Sequence, residues 1–369
     1  MAQACDRIVG NLRKSGIYID LVHFGQHRSI KIVQQQNGRL ICIPSEDGPG
    51  HSLNCLYNLL QSPDYKTSYS IIVAFGGYFP LTALPVFKNW LKTDAVLMLR
   101  GNDFDLGIFS PARRQLLFDA FMAADSICLL SHDLKRKISP FVDNDKLELI
   151  YNGIDSNEWC ADESDLEQAK AWRKSISDDG KLIIGLVGQF KAKKGGVFLL
   201  SNVLAANLHE NFHFVVIGDI AEGMQNWLEQ YQDQLQITKM PFMDHLELLR
   251  YYPACDFIAL PSFYDGMPNV LLEAGALGVP VIAARAGGIT DVLGENEIFA
   301  PFLFHPGDRH GCRKALWQAA SSTREQRLEI GQALCKHIRH SFSAETETSK
   351  YRQLLLKLFN RSSIGFMKP

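Results

Sequence analysis

Two carboxylates, Asp265 and Glu273, stand eight positions apart in the segment PSFYDGMPNVLLEAGALGVPVIAARAGGITDV, Pro261 to Val292. A Gly-Met-Pro-Asn turn separates them. Gly266 and Pro268 keep Asp265 in a loop, and Val270-Leu271-Leu272 then opens a helix whose first or second turn contains Glu273. Free backbone N–H groups at such a helix start attract an anion, and a phosphate fits there. Glu273 is placed to accept hydrogen bonds from hydroxyls of the kind a sugar ring offers. The segment therefore reads as a site for a sugar nucleotide. The plainer alternative is that one acid caps a loop and the other a helix start.

Further polar groups sit at the ends of strand-like runs. Gln189–Gly196, QFKAKKGG, follows the run Leu182–Gly188 and carries Lys191, Lys193 and Lys194. It reads as a phosphate-binding turn, the alternative being a solvated basic turn. Met240-Pro241-Phe242 precedes a helix expected over Asp244–Tyr252. In the first half, Arg100-Gly101-Asn102-Asp103-Phe104-Asp105 directly follows a strand, where open α/β sheets place ligands. Arg100 could meet a phosphate or an acidic acceptor. Asp103 and Asp105 could bind sugar hydroxyls or cap a helix starting near Pro111. Ser131-His132 and Asn152-Gly153-Ile154-Asp155 also end strands.

The Pro261–Val292 segment resembles the E-x7-E region of retaining family 4 glycosyltransferases, whose architecture is GT-B. Members read roughly PS-x-x-E-G-F-P-N-V-x-L-E-A, then G-x-P-V-I-A and G-G. Here Asp265 replaces the first Glu and Met267 the Phe. The R-G-N-D-F-D string resembles a bacterial subset of the family, with Arg100 where many members have His. The resemblance implies that Glu273 holds ribose hydroxyls and Asp265 hydroxyls of the transferred sugar. Backbone groups of Gly266, Met267, Pro268, Asn269 and Val270 would lie against the sugar or β-phosphate. Lys194 matches the family's diphosphate-binding Lys, and Gln189 stands where an Arg is usual. Groups at Met240 and Phe242 would meet the nucleobase. Asp265, Glu273, Lys194 and Arg100 are thus the catalytic candidates, and Asp103, Asp105, His132 and Asn152 the acceptor-side candidates.

The implied reaction moves a sugar from a nucleotide diphosphate donor to a hydroxyl of a carbohydrate or lipid-linked acceptor, with retention, in glycan or glycolipid synthesis. The donor is a substrate; no cofactor and no metal are expected. A sugar-nucleotide epimerase and a non-catalytic glycosyltransferase-like subunit are the competing readings.

The elements that must position these groups are α/β throughout. At 369 residues, 46% hydrophobic and 21% charged, with a formal net charge of −2, the chain is composed like a soluble globular protein of two domains and shows no basic excess for nucleic acid. Strands are expected at Ile19–Phe24, Ile71–Gly77, Ala95–Gly101, Ser126–Ser131, Leu147–Gly153, Leu182–Gly188, Phe212–Gly218, Phe257–Ser262 and Val279–Ala284. Helices are expected between them, including Ala112–Ala123 and Leu134–Phe141. The expected layout is two facing Rossmann-like domains with parallel sheets, 1–160 on the acceptor side and 161–342 on the donor side. The acidic stretch Asp155–Lys170 reads as the linker. The final segment, 343–369, has helical spacing of the apolar residues Tyr351, Leu354, Leu355 and Leu358, and the resemblance to the GT-B family implies that this helix crosses back to the first domain. Family members usually open with a strand and a Gly-rich loop before the first helix; because Ala4–Lys14 already looks like that helix, the resemblance implies a first domain lacking that opening strand and loop. The eight cysteines contain no C-x-x-C pair and read as reduced residues. No transmembrane segment or signal peptide is expected, and the location implied is cytoplasmic, with peripheral contact at the inner membrane face as an option.

Overall fold

A computed structural model describes residues 2–46, 48–65, 68–100, 103–177, 180–294 and 296–365. The chain opens with α1 (Ala2–Lys14), β1 (Ile19–Gly25), β2 (Lys31–Gln35) and β3 (Gly38–Pro44). β2 and β3 are antiparallel, and β1 pairs with β3 in parallel. This hairpin is absent from the expected strand set, although its turn carries an Asn-Gly pair, a strong hairpin signal. Asn37 takes a left-handed φ of 51°. A Cβ at residue 38 would lie 1.8 Å from the Ile19 carbonyl oxygen, so only glycine fits.

The chain continues through α2 (Gly48–Gln61), β4 (Ile71–Phe75), α3 (Tyr78–Leu91), β5 (Asp94–Met98), α4 (Asp103–Gly107), α5 (Pro111–Ala123), β6 (Ser126–Leu129), α6 (His132–Ile138) and β7 (Leu147–Leu149). These strands form a four-stranded parallel sheet, β4-β5-β6-β7. The first half thus holds two sheets rather than the one parallel sheet expected, because the hairpin gives β1 a partner of its own, β3.

The second half runs α7 (Glu163–Ile176), β8 (Leu182–Val187), α8 (Gly196–Ala205), β9 (Phe212–Ile217), α9 (Glu222–Gln230), β10 (Gln236–Met240), α10 (His245–Leu248), β11 (Phe257–Leu260), α11 (Asn269–Ala276), β12 (Val281–Ala284), α12 (Gly288–Leu293), β13 (Leu303–Phe304), α13 (Arg309–Ala320) and α14 (Arg324–Ser341). Its six strands pair in parallel, in the order β10-β9-β8-β11-β12-β13. Much of the stretch expected as a linker is α7, started by a capping box in which Asp162 and Asp165 satisfy each other's backbone N–H groups. The helix expected over Asp244–Tyr252 shrinks to α10. Pro253 has no N–H to bond the Leu249 carbonyl, so an α-helix cannot run through it, and a short 3-10 turn over Tyr252–Ala254 follows instead.

The last helix is α15 (Ala344–Gly365). One compact unit comprises residues 1–151 and 344–369, the other residues 152–343. In the first unit, side chains of β5 and the residue after it alternate between two cores, as strand geometry requires. Ala95, Leu97 and Leu99 join Leu84, Leu117 and Phe121, whereas Val96 and Met98 join Ile8 and Leu12 of α1 and Tyr351, Leu354 and Leu358 of α15. No helix among the described residues is long and apolar enough to cross a membrane.

Candidate functional site

The strongest site lies within the second unit, where β8, β11 and β12 deliver their C-terminal ends. Beyond β8, residues 192–194 make a 3-10 turn and Gly195 takes a left-handed φ of 67°. A Cβ there would sit 2.0 Å from the Pro261 carbonyl oxygen, so glycine lets this loop press against the loop after β11. The Phe263 N–H donates to the Lys193 carbonyl at 2.8 Å and locks the contact. Lys194 Nζ thereby meets Asp265 Oδ2 at 2.5 Å, with only 9% of the Asp265 side chain exposed. The other Asp265 oxygen accepts from the Gly266 N–H at 3.0 Å. Beyond β12, Gly287 lies against the Asp265 carbonyl, and the Gly288 N–H donates to the Gly266 carbonyl at 2.6 Å. The two residues assigned separate roles from sequence are therefore one ion pair.

The turn after Asp265 is held from beneath. Met267 is buried, and its carbonyl accepts from Asn152 Nδ2 at 3.1 Å; the same nitrogen lies 3.3 Å from Asn269 Oδ1. Asn152, expected on the acceptor side, thus belongs to the second unit and supports the turn after Asp265. Its buried amide needs partners, and this turn supplies them. Pro268 is the N-cap of α11, so neither acid caps that helix; Val270 lies in its first turn and Glu273 in the next. Glu273 Oε2 accepts from the Tyr252 hydroxyl at 2.7 Å. Burial, followed by the Glu273 charge, pushes the Tyr252 phenol well above its usual range, so it stays protonated and donates.

Gln189 and Lys191 are exposed at the rim, and Lys193 Nζ lies 5.6 Å from the Tyr264 ring centroid. Met240 ends β10, two strands from β8, and its carbonyl accepts from the Gly218 N–H at 3.1 Å. Phe242 is 66% exposed.

The first unit gives a different outcome. Arg100 is buried: its guanidinium donates to the Tyr351 hydroxyl at 2.8 Å and stacks 4.6 Å from the Phe75 ring centroid. It is a tie between the end of β5 and α15, not an exposed cation, and sequence position alone gives no sign of that burial. Asp103 accepts from the backbone N–H groups of Arg100 at 2.8 Å and Gly77 at 3.1 Å. Burial raises its carboxyl above the usual value against the pull of those bonds. Asp105 pairs with Lys137 at 2.9 Å. Neither acid caps α5, whose N-cap is Ser110; they begin α4 themselves. Gly101 and Asn102 of the same string lie outside the described residues. His132 is exposed at the start of α6, with Nδ1 3.1 Å from the Tyr151 hydroxyl.

Sequence reasoning missed Tyr252 as the partner of Glu273. A tyrosine before a proline, ahead of an apolar strand, carries no spacing signal for a carboxylate 21 positions on.

Comparison with known proteins adds to this geometry. The chain is 26% identical over 254 residues to UDP-Gal:alpha-D-GlcNAc-diphosphoundecaprenol alpha-1,3-galactosyltransferase of Escherichia coli, covering 66% of this chain and 62% of that protein. The matches cover 44%, 19%, 49% and 62% of the first four curated relatives, so the chain spans at best under two thirds of their length. Sucrose-phosphate synthase from Thermosynechococcus elongatus superposes with a TM-score of 0.80 at 16% identity, over 96% of this chain and 92% of that one. HepE from Anabaena, solved with UDP-glucose, gives 0.71 at 18% identity over 86% of each chain. These likenesses show the fold, the pair of Rossmann-like units called GT-B. Residues 181–321, which hold Lys194, Asp265, Glu273 and Tyr252, match the domain family described as Glycosyl transferases group 1.

Proposed function

We propose that this protein transfers a sugar from a nucleoside diphosphate donor to a hydroxyl acceptor, retaining the anomeric configuration, in glycan or glycolipid synthesis. The observation that carries the reading is the Lys194–Asp265 ion pair at the convergence of three parallel strand ends, with Glu273 held nearby on α11 by Tyr252. Departure of the nucleoside diphosphate builds negative charge on its β-phosphate. The Lys194 ammonium and the N–H groups of Asn269 and Val270 at the start of α11 stabilise that charge as a preorganised cation and dipole. Gln189 brings no charge, so Lys194 carries more of the load than it would beside an arginine. Asp265 holds Lys194 in place before the donor arrives. Once a phosphate takes the ammonium, the carboxylate accepts hydrogen bonds from the sugar. Glu273 accepts from the ribose hydroxyls.

A uracil base is the first choice, since the Escherichia coli relative is named for UDP-Gal and the Anabaena neighbour was solved with UDP-glucose. The acceptor is a carbohydrate or a lipid-linked saccharide, used in the cytoplasm with peripheral membrane contact in the lipid-linked case.

The test is calorimetry with UDP alongside UDP release from UDP-glucose and UDP-galactose, for the unaltered chain and Lys194→Ala. A charge-assisted hydrogen bond is worth about 1.5–3 kcal/mol, so the variant should bind UDP roughly ten- to a hundredfold more weakly. Equal affinity in both proteins would reduce Lys194 to a solvated turn residue. The anomeric configuration of the product, read by NMR, decides retention.

A further inference from the structure

Far from the donor loops in sequence, three side chains of the first unit converge with the chemistry of a metal site. His23 and His27, in H-F-G-Q-H, stand four apart, a ligand spacing that the expectation of no metal overlooked. Cys42 lies opposite His23 in the parallel register of β1 and β3. Val22, Phe24, Ile41 and Ile43 point into an apolar cluster, so the strand period turns His23 and Cys42 to the other face. β1 then ends in a tight turn, with the His27 N–H donating to the Gly25 carbonyl at 2.8 Å, and this folds His27 back over His23. His23 Nδ1 and His27 Nε2 are 3.0 Å apart. One ligand atom from each of the three residues lies within 4.8 Å of the others. A Cβ at Gly25 would come within 3.0 Å of the His23 ring and 3.2 Å of His27 Nε2, so glycine leaves the space open.

We propose that His23, His27 and Cys42 bind one zinc-type divalent ion. Two imidazole nitrogens this close repel through their lone pairs unless a proton or a cation lies between them. In the apo protein that is a shared N–H; the ion replaces it. The proton then moves to the far nitrogen of its ring, and the Cys42 thiol releases its proton to solvent as the thiolate coordinates. Bond lengths of about 2.0–2.1 Å to nitrogen and about 2.3 Å to sulfur suit three atoms clustered this closely, after the two nitrogens open by a few tenths of an ångström. Two imidazoles and a thiolate select zinc or copper over magnesium or calcium. Three protein ligands leave a fourth position for water. The ion would fasten the turn after β1 to β3.

The full chain, stripped with chelator, is titrated with Zn2+ by calorimetry and with Co2+ by absorption. One equivalent of Co2+ should bind with the intense d–d bands of a tetrahedral site and a thiolate-to-cobalt charge-transfer band. Cys42→Ser should abolish the charge-transfer band. His23→Ala, at an exposed position that leaves the core untouched, should weaken Zn2+ binding by more than about a hundredfold, exceeding the usual effect of a supporting residue. His27→Ala should do the same. Absence of the charge-transfer band, or Zn2+ binding by the three variants as strong as that of the unaltered chain, would overturn the site and leave only adventitious ions on other histidines and cysteines.

Discussion

Glu273 owes its orientation to a phenol that does not ionise near neutral pH. The Tyr252 hydroxyl donates to it at 2.7 Å from a fully buried ring. Tyr252→Phe keeps the ring and its packing and removes only the donor. Donor affinity should fall about tenfold, the usual size for one bond to a charged group, while the melting temperature moves little. Glu273→Gln should cost at least as much affinity. Calorimetry beside a thermal melt separates the outcomes: equal losses of stability and binding would make the pair a fold element instead. The individual residues were legible in sequence, because Lys194, Asp265 and Glu273 keep a recognisable spacing around glycines and proline. Their partners were not. The Lys194–Asp265 contact joins two loops 71 residues apart, and Arg100 looks like a ligand until its burial against Tyr351 is seen.

Loops at strand ends act as the positioning elements, and their glycines set the tolerances. Gly287 has a φ of 51°, and a Cβ there would lie 1.7 Å from the Asp265 carbonyl oxygen. Gly287→Ala must therefore move one loop away from the other. It should cost about 1–3 kcal/mol in stability and weaken donor binding together with it, measured by denaturant unfolding and calorimetry. An alanine variant with unchanged binding would show that the Asp265 loop does not need this support.

In the first unit, β1 and β3 are tied by Asp20, which meets Arg39 at 2.6 Å and accepts from Tyr69 at 2.6 Å and Tyr65 at 3.0 Å. Burial raises the Asp20 carboxyl, but the bonds from Arg39 and the two tyrosines outweigh it and hold the group below its usual value. A depressed carboxyl stabilises the fold above its unfolded pKa and loses that contribution as pH falls through the lower folded value. Melting temperature should therefore drop with acid only below the ordinary carboxylate range, beneath about pH 4. Asp20→Asn should cost about 3 kcal/mol at neutral pH and flatten part of that acid limb, as expected when a buried pair loses one charge. A melting curve with the same acid slope in both proteins would remove Asp20 from the account. This three-stranded sheet was the least legible element. Its Asn-Gly turn was present in the sequence, but β2 is exposed along its length and lacks the apolar run that marked the other strands. α7 was hidden similarly, its capping acids reading as a linker.

At the scale of the molecule, the parallel sheets followed from apolar runs and the last helix from the spacing of Tyr351, Leu354 and Leu358, whereas its return to the first unit was implied by the family resemblance alone. Those three residues close the face of the β4–β7 sheet that α1 also covers. Residues 1–151 without α15 would expose Val96, Met98 and Ile150 to water. That fragment should be aggregation-prone and lack a cooperative melt, while residues 152–343, one continuous stretch, should fold alone and bind UDP. Circular dichroism and calorimetry on the two fragments check this; a sharp melt of 1–151 would show that α15 is dispensable.

The chain leaves the first unit after Tyr151 and re-enters it at Ala344, and these passages run side by side: Ile154 bridges Ser343 in parallel, and its N–H donates to the Phe342 carbonyl at 2.9 Å. In chain order the second unit is therefore an insertion within the first, and its own two ends are stitched to each other at one point. Such an arrangement suits exchange. On the proposed function, a homologous segment with a different sugar preference, spliced in at these two neighbouring junctions, should change which donor is used while the other unit stays as it is.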